Sequence, residues 1–378
     1  MLGHLNSMGD CLFATVIARQ IKEVDFPDCH LTWAINSKCK QVVELNPHID
    51  EIWEISTEKA MSSVEEWNDF VSQAEKRKER GDFDEIFYTQ IAGDNWTNYD
   101  GGIRSSTYNN YPRAISVPHQ PIIRLSEREI ENVARFAEKH RLAAFRQVIL
   151  IECGPDSFDA ALDLQSAYDF AQTITNENKD VAVVLSSNKR IASTEPNIID
   201  ASELSFRENA ELIKYCDLFI GCASGISWLA TTDWAKKINT VLVINQQHFV
   251  FPSMIYDHEY LNLLTDHIIE IKSDADSIVK LKNCFDAISN GEFSEARKTF
   301  NEKIEPGNFL FLFYQLESAL GKLNFGKFAS CFKRVFKRNG LRIIFNAGFR
   351  KVFWDLQLKS LNKALELVGL KKKTILIK

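Results

Sequence analysis

The chain has 378 residues, 45% of them hydrophobic, enough to bury the cores of two or three domains. No apolar run approaches the ~18 to 20 residues of a membrane-spanning helix, and residues 1–20 carry polar and charged side chains throughout, unlike a secretory signal. Eight cysteines lie scattered with no CxxC pair, which argues against a zinc ribbon or iron–sulfur site and suits reduced thiols in the cytosol.

The formal charge of −6 is unevenly spread. Residues 320–378 hold 15 Lys+Arg against Asp355 and Glu366, a net +13, so the rest of the chain carries −19. Such a tail calls for an anionic partner: a membrane surface, a nucleic acid, or the acidic body itself.

Along the first third, strand and helix signals alternate. Asp10–Ala18 has apolar residues at helical spacing, Leu31–Ile35 reads as a strand, and Lys40–Leu45 reads as a helix ended by Asn46-Pro47. Ile52–Ile55 is a strand, Lys59–Arg80 a charged helix, and Ile86–Tyr88 a strand. Strands separated by helices predict βαβ units and a mostly parallel sheet. Residues 93–113 break the pattern with a long loop rich in Gly, Asn, Ser and Tyr, either a ligand-facing segment or a solvated connection.

A helix over Glu127–Arg141 leads to a second α/β run. Val148–Ile151, Val181–Leu185, Leu218–Gly221 and Val241–Ile244 are strands, the last of them the final clear one, and Ile198-Ile199 is a short candidate. Helices are expected over Ala167–Thr175 and Asn209–Tyr215. Past residue 275 the strands stop. Phe325, Phe328, Phe332 and Phe336 form one helical stripe backed by Lys327, Lys333, Arg334, Lys337 and Arg338, and Phe349, Val352, Phe353 and Leu356 start another. The first stripe has the form either of a helix lying on a membrane or of one packed on the acidic body.

Two loops can carry chemistry. Gly3-His4-Leu5-Asn6-Ser7-Met8-Gly9-Asp10 feeds a helix whose free N–H groups favour negative charge. There Asp10 either complements the helix start or acts as a base. After the strand ending at Gly221, Cys222–Ala230 turns into a helix and offers Ser224, Gly225 and Ser227 to a phosphate at a strand C-terminus.

Ser7–Thr15, Asn46–Ile52 and the run Cys216–Gly221 with Ser224-Gly225 and Leu229-Ala230 together resemble glycosyltransferase family 9, the heptosyltransferase-like family. The likeness spans roughly residues 3 to 250 with the motifs in family order. It implies the GT-B architecture: α/β, two Rossmann-like domains facing a cleft, with no catalytic metal and no cofactor. Residues 1–145 would then form the acceptor domain, 146–275 the nucleotide-sugar domain and 276–378 a helical, basic extension.

By the same resemblance Asp10 is the general base. The donor would be held by Ser7, Gly9, Gly154, Ser157, Ser186, Lys189, Ser224, Gly225 and Ser227. The acceptor would meet Asn6, Asn95, Trp96 and Arg104. A carboxylate that takes the acceptor's proton during direct attack predicts inversion at the anomeric carbon. Helix N-terminal N–H groups can stabilise the leaving nucleoside diphosphate. The partners implied are a nucleotide sugar, a bacterial glycan or glycolipid and, through residues 320–378, an anionic membrane, with no nucleic acid. The place implied is the cytoplasm or the inner face of its membrane.

The chain departs from the family pattern in three ways. Ala223 and Trp228 stand where it has an acid and a histidine, and no counterpart of its basic residue follows Gly154-Pro155-Asp156-Ser157, with Lys189 or Arg190 as the candidate substitutes. Only Met1-Leu2 precede the first loop, which predicts a first strand missing or cut short and sheet edges exposed. Two further readings follow: a catalytically silent binding module, and another Rossmann-type nucleotide-sugar enzyme such as an epimerase or dehydrogenase. The last is disfavoured because no GxGxxG follows a strand.

Overall fold

A computed structural model describes residues 1–56, 64–154, 162–246, 251–306, 315, 325–341, 354 and 357. Strands β1 (Leu2–Gly3), β2 (Thr32–Asn36), β3 (Glu51–Ile55) and β4 (Phe87–Tyr88) form one sheet in the order β3-β2-β1-β4. Strands β5 (Gln147–Glu152), β6 (Val181–Ser186), β7 (Ile198–Asp200), β8 (Leu218–Gly221), β9 (Asn239–Ile244) and β10 (Ile268–Lys272) form a second, ordered β10-β9-β8-β5-β6-β7. Every pairing is parallel, so each connection must cross over one face of its sheet. Strand order reverses between β1 and β4 in the first sheet and between β5 and β8 in the second. The crevice at the C-terminal end of such a reversal is where open α/β sheets bind ligands.

Two residues suffice for the first strand. Leu2 lies opposite Trp33 and Phe87, and Gly3 opposite Ala34 and Tyr88, so β1 is central rather than missing. The N-terminal ammonium donates to the Glu85 carbonyl at 2.6 Å, which extends the pairing past the last side chain.

Parallel strands covered on both faces are apolar on both. In β5, Val148 and Leu150 face a core shared with α1 (Met8–Gln20), α4 (Glu127–Lys139) and α6 (Phe206–Leu212). Ile149 and Ile151 face the other side, against α5 (Leu164–Glu177), α9 (Ser277–Asn290) and α10 (Phe293–Phe300). The first of these cores also takes in Leu2, Trp33 and Ile35, so one continuous apolar body joins the two sheets. Its burial, the main favourable term in such packing, holds them together.

Polar ties cross the same seam. Ser126 caps α4 in a reciprocal capping box with Glu129, and Ser205 caps α6 with Glu208. Glu129 then accepts both Arg207 Nε (2.6 Å) and Nη2 (2.9 Å), while Arg207 Nη1 donates to the carbonyls of Gln41 and Glu44. Asn132 Nδ2 donates to Glu208 Oε1 at 2.7 Å. Ser126→Ala is expected to cost about 1 kcal/mol, the ordinary value of a lost N-cap. Urea unfolding checks this: the midpoint should fall while the slope stays unchanged.

Several expectations need correction. The stretch Lys40–Leu45 is only a 3₁₀ turn, Lys40–Val42, because Leu45 adopts a left-handed backbone (φ 61°) that stops a helix. Val241–Ile244 is not the last strand, since β10 follows it. The 93–113 loop contains a 3₁₀ turn, Gly93–Asn98, and helix α3 (Ile103–Asn109). Helix α2 covers Val64–Glu79, and the expected residues 59–63 before it lie outside the described residues. The pattern Phe349, Val352, Phe353, Leu356 also lies outside them.

The basic helix α11 (Phe325–Asn339) is seated on the protein body. Lys327 pairs with Asp94 (3.3 Å), Arg334 Nη1 donates to the Thr97 carbonyl (2.8 Å), and Arg338 Nη1 bonds Asp100 Oδ1 (2.9 Å). The reverse side of Arg338 stacks on Tyr256 and Tyr260 of α8 (Met254–Tyr260). The acidic body is therefore a partner for this part of the tail.

Candidate active site

The loop after β1 is pinned by a side chain from the far strand of the reversal. Gln90, just past β4, accepts the backbone N–H groups of Leu5 and Asn6, both at 2.9 Å. His4 is buried against Thr89 Oγ1 (3.0 Å), and burial drives it down to about 3, so its ring is neutral. Ser7, exposed and left-handed (φ 69°), begins α1 without a side-chain cap. Asp10 follows in the first turn. Its half-buried carboxyl has no hydrogen bond among the described residues, and desolvation pushes it up to about 7.

The equivalent turn of the second sheet meets it. Gly221 ends β8, and Ser224 Oγ accepts the Ile226 N–H to start α7 (Gly225–Leu229). A Cβ on Gly9 would lie 3.6 Å from Gly225 Cα. A Cβ on Gly225 would lie 3.5 Å from the Gly9 nitrogen and 3.2 Å from the Phe206 ring. The two helix starts, one from each sheet, therefore lie in van der Waals reach of each other, and a side chain at Gly225 would crowd the Phe206 ring.

An unanticipated carboxylate occupies the second reversal. Glu152, the last residue of β5, is buried and accepts the Ser227 hydroxyl at 2.7 Å together with that of Ser224. Backbone N–H groups of the α7 turn also reach it, yet burial outweighs them and lifts Glu152 to about 8. The hydroxyls of Ser224 and Ser227 thus point into the protein at Glu152 rather than outward at a phosphate. The one sequence signal was a lone charge closing the apolar run Val148–Ile151 at a strand C-terminus.

Trp228 and Arg104 fill the seam beside this junction. Trp228 meets Phe13 edge-on at 4.8 Å, and the Arg104 guanidinium lies over both rings. Arg104 is fully buried, with Nε 3.1 Å from Asp257 Oδ2 on α8. It is an inter-sheet ion pair and not an open acceptor ligand. Asn95 is likewise engaged, donating to the carbonyls of Tyr88 (2.7 Å) and Gln90 (3.0 Å). Trp96 packs on Tyr99 and gives its carbonyl to Gln315. Asn6 keeps a buried Nδ2 with no hydrogen bond among the described residues.

Of the remaining donor candidates, Ser186 Oγ is committed to Asn209 at 2.8 Å inside the protein. Gly154 (φ 60°) lies beside Ser187, and Lys189, which follows β6, is exposed. Ser157 lies outside the described residues. Among those residues no group of three His, Cys, Asp or Glu side chains is gathered as a metal site.

A glycosyl transferase of family 9 from Veillonella parvula DSM 2008 superposes with a TM-score of 0.51 at 14% identity, over 80% of this chain and 94% of that one. The chain has the two-domain GT-B fold of that glycosyltransferase. Escherichia coli ADP-heptose lps heptosyltransferase II gives a TM-score of 0.48 at 13% identity, over 74% of this chain and 93% of that one. A putative UDP-N-acetylglucosamine 2-epimerase from Listeria monocytogenes gives 0.45 at 9%, over 85% and 96%. No family model matches the sequence, and no curated protein does. In this GT-B frame, Asp10 and Gly225 stand at the facing reversals of the two sheets.

Proposed function

We propose that the chain is an inverting, metal-independent glycosyltransferase that moves a sugar from a nucleotide-sugar donor to a bacterial surface glycan or a lipid-linked saccharide. The observation that carries this reading is Asp10: a carboxyl without a hydrogen bond among the described residues, lifted to about 7, at the junction of two Rossmann-like sheets in a GT-B fold. A carboxylate near neutrality is matched to taking a proton from an attacking hydroxyl. Exposed Lys189, three residues past the end of β6, is the cation proposed for a donor diphosphate. The test is a screen of nucleotide sugars by thermal shift, since a ligand of the native state raises its melting temperature. Transfer by wild type and by Asp10→Asn is then compared.

Glu152 favours a second reading, a silent binding module. Its carboxylate takes the hydroxyls and N–H groups that a phosphate would use at α7. A nucleotide sugar that binds without being transferred or hydrolysed would select this reading over the first.

We also propose that the tail brings the protein to the inner face of the cytoplasmic membrane. Lys333 and Lys337 face outward from α11, and Leu341 and Trp354 are exposed at 62% and 57%. Each cation at an anionic leaflet contributes about 1 kcal/mol. Sedimentation with anionic vesicles should be lost in neutral vesicles and should weaken steeply with salt. Equal binding to neutral vesicles would remove the proposal.

A further inference from the structure

The Asp10 carboxyl has no hydrogen bond of its own among the described residues, so its place is set by the backbone that delivers it, residues 4–7 between β1 and α1. The two sides of that backbone are held differently. Toward β2 the ladder continues, with the His4 N–H on the Ala34 carbonyl (3.2 Å) and the Asn36 N–H on that of Leu5 (3.0 Å). Toward β4 the Thr89 N–H meets the Gly3 carbonyl (3.0 Å), and there the ladder breaks. In a parallel pair the Leu5 N–H would next bond the Thr89 carbonyl. It turns instead to Gln90 Oε1 (2.9 Å), which also takes the Asn6 N–H (2.9 Å), while the Thr89 carbonyl accepts Asn110 Nδ2 (3.2 Å).

Gln90 does this from a fixed seat. It is 6% exposed, and its own carbonyl accepts the Ala92 N–H (2.9 Å) and Asn95 Nδ2 (3.0 Å). Its side-chain oxygen marks the point where the chain leaves the sheet: Asn6 is followed by left-handed Ser7, whose carbonyl accepts the Cys11 N–H (2.9 Å) to open α1.

We propose that Gln90 is a positioning residue for sugar transfer, a clamp on residues 5 and 6 that fixes where Asp10 presents its carboxyl. The inference rests on the reading of Asp10 as the base. Without the Gln90 oxygen, two N–H groups lose their acceptor, and buried N–H groups left unpaired are costly enough that the loop must shift to find others. Asp10 shifts with it. A misplacement of about 1 Å at a reacting group costs on the order of 10²-fold in rate. Every hydrogen-bond partner of Gln90 among the described residues lies in the first sheet's domain, so the second sheet keeps its structure.

The test compares wild type, Gln90→Leu, Gln90→Glu, Asp10→Asn and Gln90→Leu combined with Asp10→Asn, all in the full chain. The rate is the release of nucleoside diphosphate from ADP-, UDP-, GDP- and dTDP-sugars, with water standing in for the acceptor. Deuterium exchange at the Leu5 and Asn6 amides reads the clamp, with β5 as the control for global opening. Gln90→Leu should speed exchange at those two amides and not in β5, and should slow release on the order of 10²-fold. Gln90→Glu, which keeps the acceptor oxygen, should recover most of both. In the Asp10→Asn background Gln90→Leu should cost nothing further, because residues that act as a unit are not additive. The same loss in both backgrounds would overturn the proposal, and so would unchanged exchange at Leu5 and Asn6. An Asp10→Asn variant that matches wild type, or a wild type that releases no diphosphate from any of the four series, removes the base reading and the positioning role with it. Exchange at the two amides still reads the clamp then, so the two failures are told apart. Should Gln90→Leu not fold, Gln90→Asn, whose oxygen is drawn back by one methylene, takes its place with the same expectations.

Discussion

Asp10→Asn is expected to fold and bind a nucleotide sugar like wild type while losing about 10²- to 10⁴-fold in transfer, the usual contribution of a positioned base. A purely structural Asp10 predicts otherwise. Asn serves a helix start about as well as Asp, and the carboxyl makes no hydrogen bond among the described residues that Asn would forfeit. The pH dependence sharpens the test. Burial holds the carboxyl near 7, so the competent ionised form grows as pH rises through neutrality. Transfer should climb in proportion from about pH 5 and level off above about pH 8.

Stability runs the opposite way. A carboxyl raised in the fold favours the native state while protonated, fully so below its unfolded value of 3.8, and that contribution is lost as pH rises through about 7. At pH 8 the Asn variant should therefore melt no lower than wild type. Initial rates over a pH series, with melting at pH 5 and pH 8, measure both effects. Transfer by Asp10→Asn within a few-fold of wild type would return Asp10 to the helix start.

The parts legible in the sequence were those whose signal is local. Runs such as Val181–Leu185 and Leu218–Ile220 are apolar on both faces because parallel strands are covered on both, and they read as strands without help from the rest of the chain. Gly9 and Gly225 likewise marked the small-residue loops that lead into α1 and α7. Strand β10 escaped because Glu270 interrupts Ile268-Ile269-Glu270-Ile271. Its charge is tolerable only because Ser253 (2.6 Å) and the Ile255 N–H (3.0 Å) meet it from a distant turn. Helix α3, short and built of Ser, Thr and Asn, has weak intrinsic propensity. It stands because Asp100 accepts Gly102 N–H and Ser105 Oγ at its first turn. Arg104 read as a ligand group because nothing near it in sequence shows Asp257 waiting across the seam.

The tail's charge asymmetry was visible and the acidic body was among its candidate partners, but which carboxylates it meets was not, and Arg338 is where that matters most. Arg338 and Asp100 are each only 1% exposed in their side chains. With Arg104 and Asp257 they form a buried set of two cations and two anions that joins α11, α3 and α8. Removing one partner of a buried pair leaves an uncompensated charge, which costs about 3 to 5 kcal/mol, far beyond an exposed pair. Arg338→Met is thus expected to lower stability by that amount and to loosen α11 from the 93–100 segment. Asp100→Asn combined with Arg338→Met should recover much of the loss, because no charge is then stranded and Asn still accepts at the start of α3. Gly102→Ala supplies an independent probe: its Cβ would come within 2.6 Å of Arg338 Nη2 and push the guanidinium off Asp100. That cost should be large in wild type and nearly vanish once residue 338 is Met. Urea unfolding of wild type, Arg338→Met, Gly102→Ala and Gly102→Ala combined with Arg338→Met measures the coupling directly. An Arg338→Met variant within 1 kcal/mol of wild type, with Gly102→Ala equally costly in both backgrounds, would mean that α11 rests on the body without contributing to it. In that case the whole basic tail would be free to serve a membrane.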